Sequence, residues 1–346
     1  MNDRKILDNK LQENECKDYN KLSHIMPKTK RIIAIGDLHG NLKKTIYIFK
    51  KLNLIDNKNE WIAIPKDTIV VQVGDILDSC REKNLNDCEN EIKEDNERGD
   101  LSIFAFLNIV NRNAEKMGGK VICLLGNHEL LNVMQKTHYN SRKDLLEINR
   151  IKGYEDITDL SELRKIRHKL FKPGGKLAKF MACTRHSALI IGSNLFVHAG
   201  VINKVANKYK IEDINIIVRK WLLNKINLNS TKSDIGTLKD ILLNYDSSIF
   251  WTRLLGNLPS NASKKECDNH MKEVLKLWKI ERMIVGHTPS INENQNIISL
   301  CDNRIHRIDT GIGEGFDKFK SGSNNKIELL EILNDTKHNK IILDYP

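Results

Sequence analysis

Five times along this chain an apolar run with strand character ends abruptly in small and metal-capable residues. Arg31 to Ile35 runs into Gly36-Asp37-Leu38-His39-Gly40, and Thr68 to Val73 into Gly74-Asp75-Ile76-Leu77-Asp78. Lys120 to Leu125 runs into Gly126-Asn127-His128-Glu129, Leu195 to Val197 into His198-Ala199-Gly200, and Met283 to Val285 into Gly286-His287-Thr288-Pro289. Between the early runs lie helix-compatible stretches, so the rhythm is strand, loop, helix, and the fold class is α/β. In such sheets ligands gather at the carboxyl ends of the strands. Asp37 and His39 sit two apart, so on an extended strand end they point the same way. Gly36 and Gly40 allow a tight turn there.

The near-continuous β-branched character of Ile69 to Val73 suits a strand buried on both faces. The spacing of Ile103, Phe106, Leu107 and Val110 predicts a helix stopped by Gly118-Gly119. Residues from about 130 to 180, and again from about 201 to 280, read as helical insertions over the sheets, with Lys172-Pro173-Gly174-Gly175 as a break. Ala188 to Ile191 and Leu195 to Val197 form a hairpin pattern about Gly192-Ser193-Asn194. Runs near Ile297 to Leu300 and Arg304 to Ile308 suggest antiparallel strands, and Ile327 to Leu333 with Lys340 to Tyr345 a last hairpin. The expected layout is a polar extension over 1–30, a catalytic domain over 31–325, and terminal strands or a tail over 326–346.

Composition narrows the class. A chain of 346 residues with 40% hydrophobic and 29% charged residues is globular and long enough for a large core. The net charge of +11 admits an anionic partner, but the basic residues are spread along the chain. No specific nucleic-acid binding is therefore expected. The abundance of Lys, Asn and Ile is that of AT-rich coding, as in a parasite or a large virus. No apolar run approaches ~18 residues, so no membrane span is expected. The first residues are polar, without a secretory core. These features predict a cytoplasmic protein, or one of the host-cell cytoplasm or virion if the source is viral. The cysteines, Cys16, Cys80, Cys88, Cys123, Cys183, Cys267 and Cys301, are scattered and contain no C-x-x-C. Free thiols in a reducing compartment are the expectation, with Cys123 a buried small hydrophobe.

The metal-capable residues at the strand ends are Asp37, His39, Asp75, Asn127, His198 and His287. Imidazole, carboxylate and amide oxygen together suit a first-row ion such as Mn, Fe or Zn. Six such groups exceed the needs of one ion with an open position. Two ions ~3.5–4 Å apart, sharing one carboxylate, would use them all.

The ordered set Gly36 to Gly40, Gly74 to Asp78, Gly126 to Glu129, His198 to Gly200 and Gly286 to Thr288 resembles the motifs of calcineurin-like metallophosphoesterases. Within them it is most similar to the phosphoprotein phosphatase group and its Shewanella-like branch. The resemblance covers about Arg31 to Gly313. It implies a four-layer sandwich of two mixed β-sheets flanked by helices. It also implies two divalent metal ions, with Asp37 and His39 on the first, Asp75 bridging, and Asn127, His198 and His287 on the second. By the same resemblance His128 is the general acid, held by Asp78, and a metal-bridging hydroxide attacks phosphorus in line. The family's second motif usually continues Asp-Arg-Gly, its arginine clamping phosphate. Here Ser79-Cys80-Arg81 follows Asp78, so Arg81, Arg253 and Arg185 are the candidates for that clamp. Many phosphodiesterases of the superfamily carry a second histidine where Pro289 stands. That difference favours phosphomonoester hydrolysis. His306 and Asp309 are expected in structural polar roles, not as ligands.

The implied function is a metal-dependent phosphatase acting on phosphorylated proteins, at serine and threonine or at tyrosine. A nucleotide or dinucleoside-polyphosphate hydrolase is the alternative, because the same metal core serves pyrophosphate bonds. An inactive binding protein on a phosphatase fold finds support only in the missing arginine after Asp78.

Overall fold

The computed structural model describes residues 22–82, 88, 99–226, 228, 234–290, 296–319 and 326–346. Most of the first 30 residues, most of the acidic loop after Arg81 and part of the second helical insertion lie outside that set. Among the described residues the strands are β1 (Ile25–Met26), β2 (Arg31–Ile35), β3 (Ile69–Gln72), β4 (Lys120–Leu124), β5 (Arg185–His186) and β6 (Ala188–Ile191). They continue with β7 (Asn194–Val197), β8 (Arg282–Val285), β9 (Ile298–Leu300), β10 (Ile305–Arg307), β11 (Lys326–Leu333) and β12 (Lys337–Asp344). One sheet has the order β12-β11-β2-β3-β4-β5, the other β1-β6-β7-β8-β10-β9. Both are mixed, and helices cover their outer faces, as expected of a four-layer sandwich.

The parallel core of the first sheet follows from its connections. β2 pairs with β3 with Ile32 opposite Ile69, and β3 with β4 with Ile69 opposite Lys120. Parallel neighbours need a crossover, which the helices Leu42–Lys51 and Asp100–Lys116 provide. The first helix starts at Asn41, whose side chain accepts from the Lys44 N–H at 3.0 Å. The second ends at the two glycines, where Gly118 takes φ +89° and the Gly119 N–H reaches back to the Ala114 carbonyl at 2.9 Å. The terminal hairpin is more than a tail. β11 lies antiparallel beside β2, with Leu330 opposite Ala34, so it extends the first sheet. β1 pairs in parallel with β6 at the edge of the second sheet.

Alternation along β2 sorts the core. Ile32 and Ala34 join Val71, Phe196, Ile284 and Ile332 between the sheets. Ile33 and Ile35 point the other way, into Ile48, Phe49 and Leu107 beneath the helices. Phe196 is fully buried, and its truncation to alanine would cost about 3–5 kcal/mol.

The expectation of free thiols fails at several cysteines. Cys80 is bonded to Cys88 and Cys267 to Cys301, with Cα separations of 5.6 and 6.3 Å, and Cys183 is disulfide-bonded too. Separations of this size permit a disulfide. Sequence spacing says nothing about that proximity for Cys267 and Cys301, which the fold brings together across 34 residues. Cys123 is buried and free, as expected.

Two histidine pairs sit inside this frame. His24 and His186 face each other with Nδ1 atoms 3.2 Å apart, and the rings of His306 and His338 lie 4.8 Å apart. Burial, and then nearby positive groups, lower His24 and His338 to about 4 and His186 and His306 to about 3. In the unfolded chain each would titrate near 6.5. The folded values are depressed, so the unfolded state takes up protons first. Stability present above pH 6.5 is therefore lost as pH falls toward 4. Thermal unfolding of metal-free protein between pH 7 and pH 5 should show a falling midpoint. The drop should be smaller in His186→Asn, whereas an equal drop would show that this pair does not couple folding to protons.

Candidate metal centre

The ends of β2, β3 and β4 in one sheet, and of β7 and β8 in the other, converge on one place. Several residues there hold the left-handed backbone that side chains other than glycine rarely adopt: His39 at φ 42°, Asp75 at 56°, Asp78 at 67° and His287 at 68°. The surrounding hydrogen bonds enforce it. The N–H groups of Leu38 and His39 both reach the Asp75 carbonyl at 3.0 Å, tying the first loop to the second. Glu129 accepts from Asp75 N and Gly126 N on Oε2 at 2.9 and 2.6 Å, and from Ile76 N and Leu77 N on Oε1 at 2.9 and 3.1 Å. The contact between these loops leaves no room at Gly126, where a Cβ would stand 2.2 Å from Asp75 Oδ1.

Asp75 lies at the middle of the group. Its carboxylate groups with His39 and His128 on one side and with His198 and His287 on the other, ligand atoms within 4.8 Å in each set. His39 Nε2 is 3.7 Å from Asp75 Oδ2 and 3.9 Å from Asp37 Oδ2. His198 Nε2 is 3.3 Å from Asp75 Oδ1, and the Asn127 Oδ1 atom is 2.9 Å from His198 Nε2 and 2.8 Å from His287 Nδ1. All six residues expected to hold metal are thus together and buried.

The donor set fits divalent cations on two grounds. First, each of the three candidate histidines can donate one ring N–H to a backbone carbonyl: His39 Nδ1 to Leu77 and His198 Nδ1 to Val73, both at 3.0 Å, and His287 Nε2 to Trp251 at 3.0 Å. This leaves the lone pair of the other nitrogen toward the cluster, which is how a protein fixes the tautomer of a metal-binding imidazole. Second, negative charge collects there without enough positive side chains to match it. Asp37 Oδ1 is buried with no hydrogen-bond partner. Burial, then Asp309 and Asp75, push the Asp37 carboxyl well above its usual range, and burial raises Asp309 to about 6. Burial also works against the charged forms of Asp75 and His198, but their mutual attraction outweighs it, lowering Asp75 and raising His198. His39 and His287 are driven down, first by burial and then by Arg81 and His198 respectively. The neutral imidazole is the form that binds metal.

His128 stands beside this group with Nε2 3.9 Å from Asp75 Oδ2 and Nδ1 2.7 Å from Asp78 Oδ2. Asp78 is itself anchored. Its Oδ1 accepts from Asn132 at 2.8 Å and from Asn140. Arg167, fully buried, donates to Asn132 Oδ1 at 2.7 Å and grips Asp100 at 2.6 and 3.2 Å, and Asp100 in turn accepts the Asp78 N–H at 3.2 Å. Sequence reasoning missed Arg167, Asp100 and the supporting role of Glu129. Glu129 was visible in its motif, whereas Arg167 reads as an ordinary helical charge. Asp309 stands near enough to Asp37 to push its carboxyl upward.

The arginine candidates separate. Arg81 Nη2 lies 2.7 and 2.8 Å from His39 Nδ1 and Nε2 and 3.4 Å from His128 Nε2, its guanidinium packed on Phe316 and Tyr139. Ser79 turns away from the ligands, and its N–H and hydroxyl donate to Asp144 Oδ2 at 3.0 and 2.7 Å. Arg253 lies at the exposed rim and donates to the His287 carbonyl and Thr288 Oγ1, both at 3.2 Å. Arg185 is placed elsewhere. It pairs with Cys123, and its guanidinium stacks on Phe104 and Phe180 under the helices of the outer face.

A sequence model of the calcineurin-like phosphoesterases matches residues 30–290. The chain belongs to that family, and is a metallophosphoesterase and a hydrolase. An uncharacterized protein of Acanthamoeba polyphaga mimivirus is 37% identical over 68% of this chain and 97% of its own length. Shewanella-like protein phosphatase 2 of Arabidopsis thaliana is 29% identical over 83% of this chain and 73% of that protein. The crystal structure of a cold-active protein-tyrosine phosphatase from a psychrophilic Shewanella superposes with a TM-score of 0.63 at 18% identity, covering 92% of this chain and 82% of that one. Among the described residues no helix is long and apolar enough to cross a membrane.

Two measurements probe this centre. Adding Mn2+ to metal-free protein at a hundredfold excess over Kd should add about 2.7 kcal/mol of stability, read as a raised unfolding midpoint. Asp75→Asn should remove most of that gain, and a full gain in the variant would show that Asp75 is not a ligand. Arg167→Met should destabilise the fold by about 3–5 kcal/mol in denaturant unfolding, because it strands the Asp100 carboxylate in the interior. A loss below about 1 kcal/mol would mean that the Arg167 ion pair contributes little net stability.

Proposed function

We propose that this chain hydrolyses phosphomonoesters of phosphorylated proteins at a two-metal centre. The observation that carries the reading is His128, fixed through Nδ1 by Asp78 and facing the ligand cluster through Nε2. Asp37, His39 and Asp75 would hold one cation, and Asp75, Asn127, His198 and His287 the other. When bound, the cations would supply Lewis acidity toward phosphoryl oxygens and lower the pKa of water.

The chain's own groups do the rest. Asp78 accepts from His128 Nδ1 and leaves Nε2 facing the ligand cluster, the position from which it would pass a proton to the leaving oxygen. Arg81, beside both His39 and His128, presents N–H donors to the phosphoryl oxygens, and Arg253 adds a second cationic group from the rim. Pro289 follows Thr288 where a second histidine would favour diesters, which supports monoesters. The protein substrate is inferred from relatives: the Arabidopsis protein is named a protein phosphatase and the Shewanella structure is titled a protein-tyrosine phosphatase.

The test is a panel of phosphoserine, phosphothreonine and phosphotyrosine peptides against nucleotides and dinucleoside polyphosphates, with Mn2+ present. Peptides should be hydrolysed with the higher kcat/KM. Faster turnover of the nucleotides would replace this reading with the nucleotide one. His128→Asn should lower kcat about 10²–10⁴-fold. Arg253→Ala should act mainly on KM. Full activity in His128→Asn would remove the proposed acid, and no turnover of any substrate by metal-loaded wild type would favour a binding protein.

A further inference from the structure

A cavity of about 310 Å3 opens at the β4–β5 edge, away from the metal centre. Lys120, Val121 and Ile122, which begin β4, line it, whereas Asn127 lies beyond the other end of that strand. At ~3.3 Å per residue, Ile122 and Asn127 are roughly 16 Å apart along the chain. The size is at the lower end of small-molecule sites. Leu107, Val121, Ile122 and Met26 give it apolar walls.

Two of its lining side chains carry hydrogen-bond donors that no acceptor among the described residues satisfies. Arg185 is 5% exposed, and its Nε and Nη2 have no acceptor among them. Asn108, 8% exposed on the helix Asp100–Lys116, has an Nδ2 with none. Buried polar groups are nearly always paired, and an unpaired one costs about 1–3 kcal/mol, more when charged. Phe104 and Phe180 hold the Arg185 guanidinium by its faces, which leaves its in-plane donors unmatched. The surroundings are basic as well. Lys120 lines the same cavity, and among the described lining residues the only carboxylate, Glu115, is exposed two helical turns beyond Asn108. The neighbouring His186 is held neutral, by burial first and then by His24, Arg219, Arg185 and Lys120.

We propose that this cavity binds a small organic oxyanion, a carboxylate or phosphate group on an apolar body, recognised by Arg185 and Asn108. Both orphan groups are donors, so the missing partner is an acceptor. A charged donor with no counter-ion among the described residues calls for an anionic one. The site is distinct from the substrate site, and it assigns Arg185 a ligand other than the phosphoryl group undergoing hydrolysis.

Calorimetric titration of the metal-loaded, full-length chain with benzoate and with phenylphosphonate tests this. At least one probe should occupy a site with Kd of about 1 mM or tighter that survives Asp75→Asn. Benzoate alone would identify a carboxylate ligand, phenylphosphonate alone a phosphate. Binding at that site should weaken about tenfold or more in Asn108→Asp, which keeps Arg185 but adds an opposing charge, and likewise in Arg185→Met. Arg185→Lys should recover part of it. Circular dichroism checks that the variants fold, and Asn108→Asp decides the matter should Arg185→Met fail to do so. Absence of any Asp75-independent site for both probes, or undiminished binding in the folded variants, would overturn the proposal.

Discussion

The carboxylate of Glu129 is the interaction on which the metal centre depends. It accepts the N–H groups of Asp75, Ile76, Leu77 and Gly126, joining the loop after β3 to the loop after β4. Burial and the nearby Asp75 push Glu129 upward, and the Gly126 and Leu77 N–H groups oppose them. Without the carboxylate, these buried donors would each lose a partner worth about 1–3 kcal/mol. The bond at Asp75 matters most, because that residue sits in the left-handed region and its side chain must face ligands from both sheets. Strain at one residue is tolerable when several hydrogen bonds define the conformation around it.

Much of the fold was legible because it rests on short-range pattern. The β-branched run Ile69 to Val73, the hairpin about Gly192 and the glycine stop at Gly118 follow from strand burial and turn chemistry, and the structure has β3, the β6–β7 hairpin and the helix end there. The candidate ligand residues were legible as a group because each follows an apolar strand, and the structure brings those strand ends together. The parts that were not legible depend on long-range proximity. Arg167 lies 67 residues from Asp100 along the chain yet grips its carboxylate. Cys267 and Cys301 look unrelated until the fold joins them. Arg185, just ahead of a site-directed strand, reads as a clamp candidate, but strand alternation turns it to the outer face beside Cys123. A one-residue change of facing moves a side chain to the other layer.

The segment between residues 130 and 180 gains a role that its helical, charged pattern did not reveal. Its pattern predicts helices lying over the sheet. It also supplies Asn132, Asn140, Asp144 and Arg167, which hold Asp78 and Ser79 from behind. The His128 ring is thus oriented by Asp78, Asp78 by two amides, and one of those amides by a buried guanidinium. Asn132 is used at both ends, donating to Asp78 and accepting from Arg167, so the Arg167 guanidinium acts on Asp78 through it.

Ser79 shows how a local change is absorbed. An arginine at position 79 would have to share the buried space where the Ser79 hydroxyl now meets Ser141 and Asp144. With serine there, that space becomes part of the packing between the β3 loop and the insertion. The cation enters instead from Arg81, two residues on, with its guanidinium packed on Phe316 and Tyr139 and its Nη2 beside His39 and His128. The neighbouring Cys80 is bonded to Cys88 and its N–H donates to the Tyr139 carbonyl at 3.2 Å. Arg81 therefore leaves a backbone pinned at the preceding residue, and its long side chain loses less freedom in reaching His39 and His128 than it would from a loose loop. Arg81 thus brings a positive charge beside His128 from two residues after Ser79.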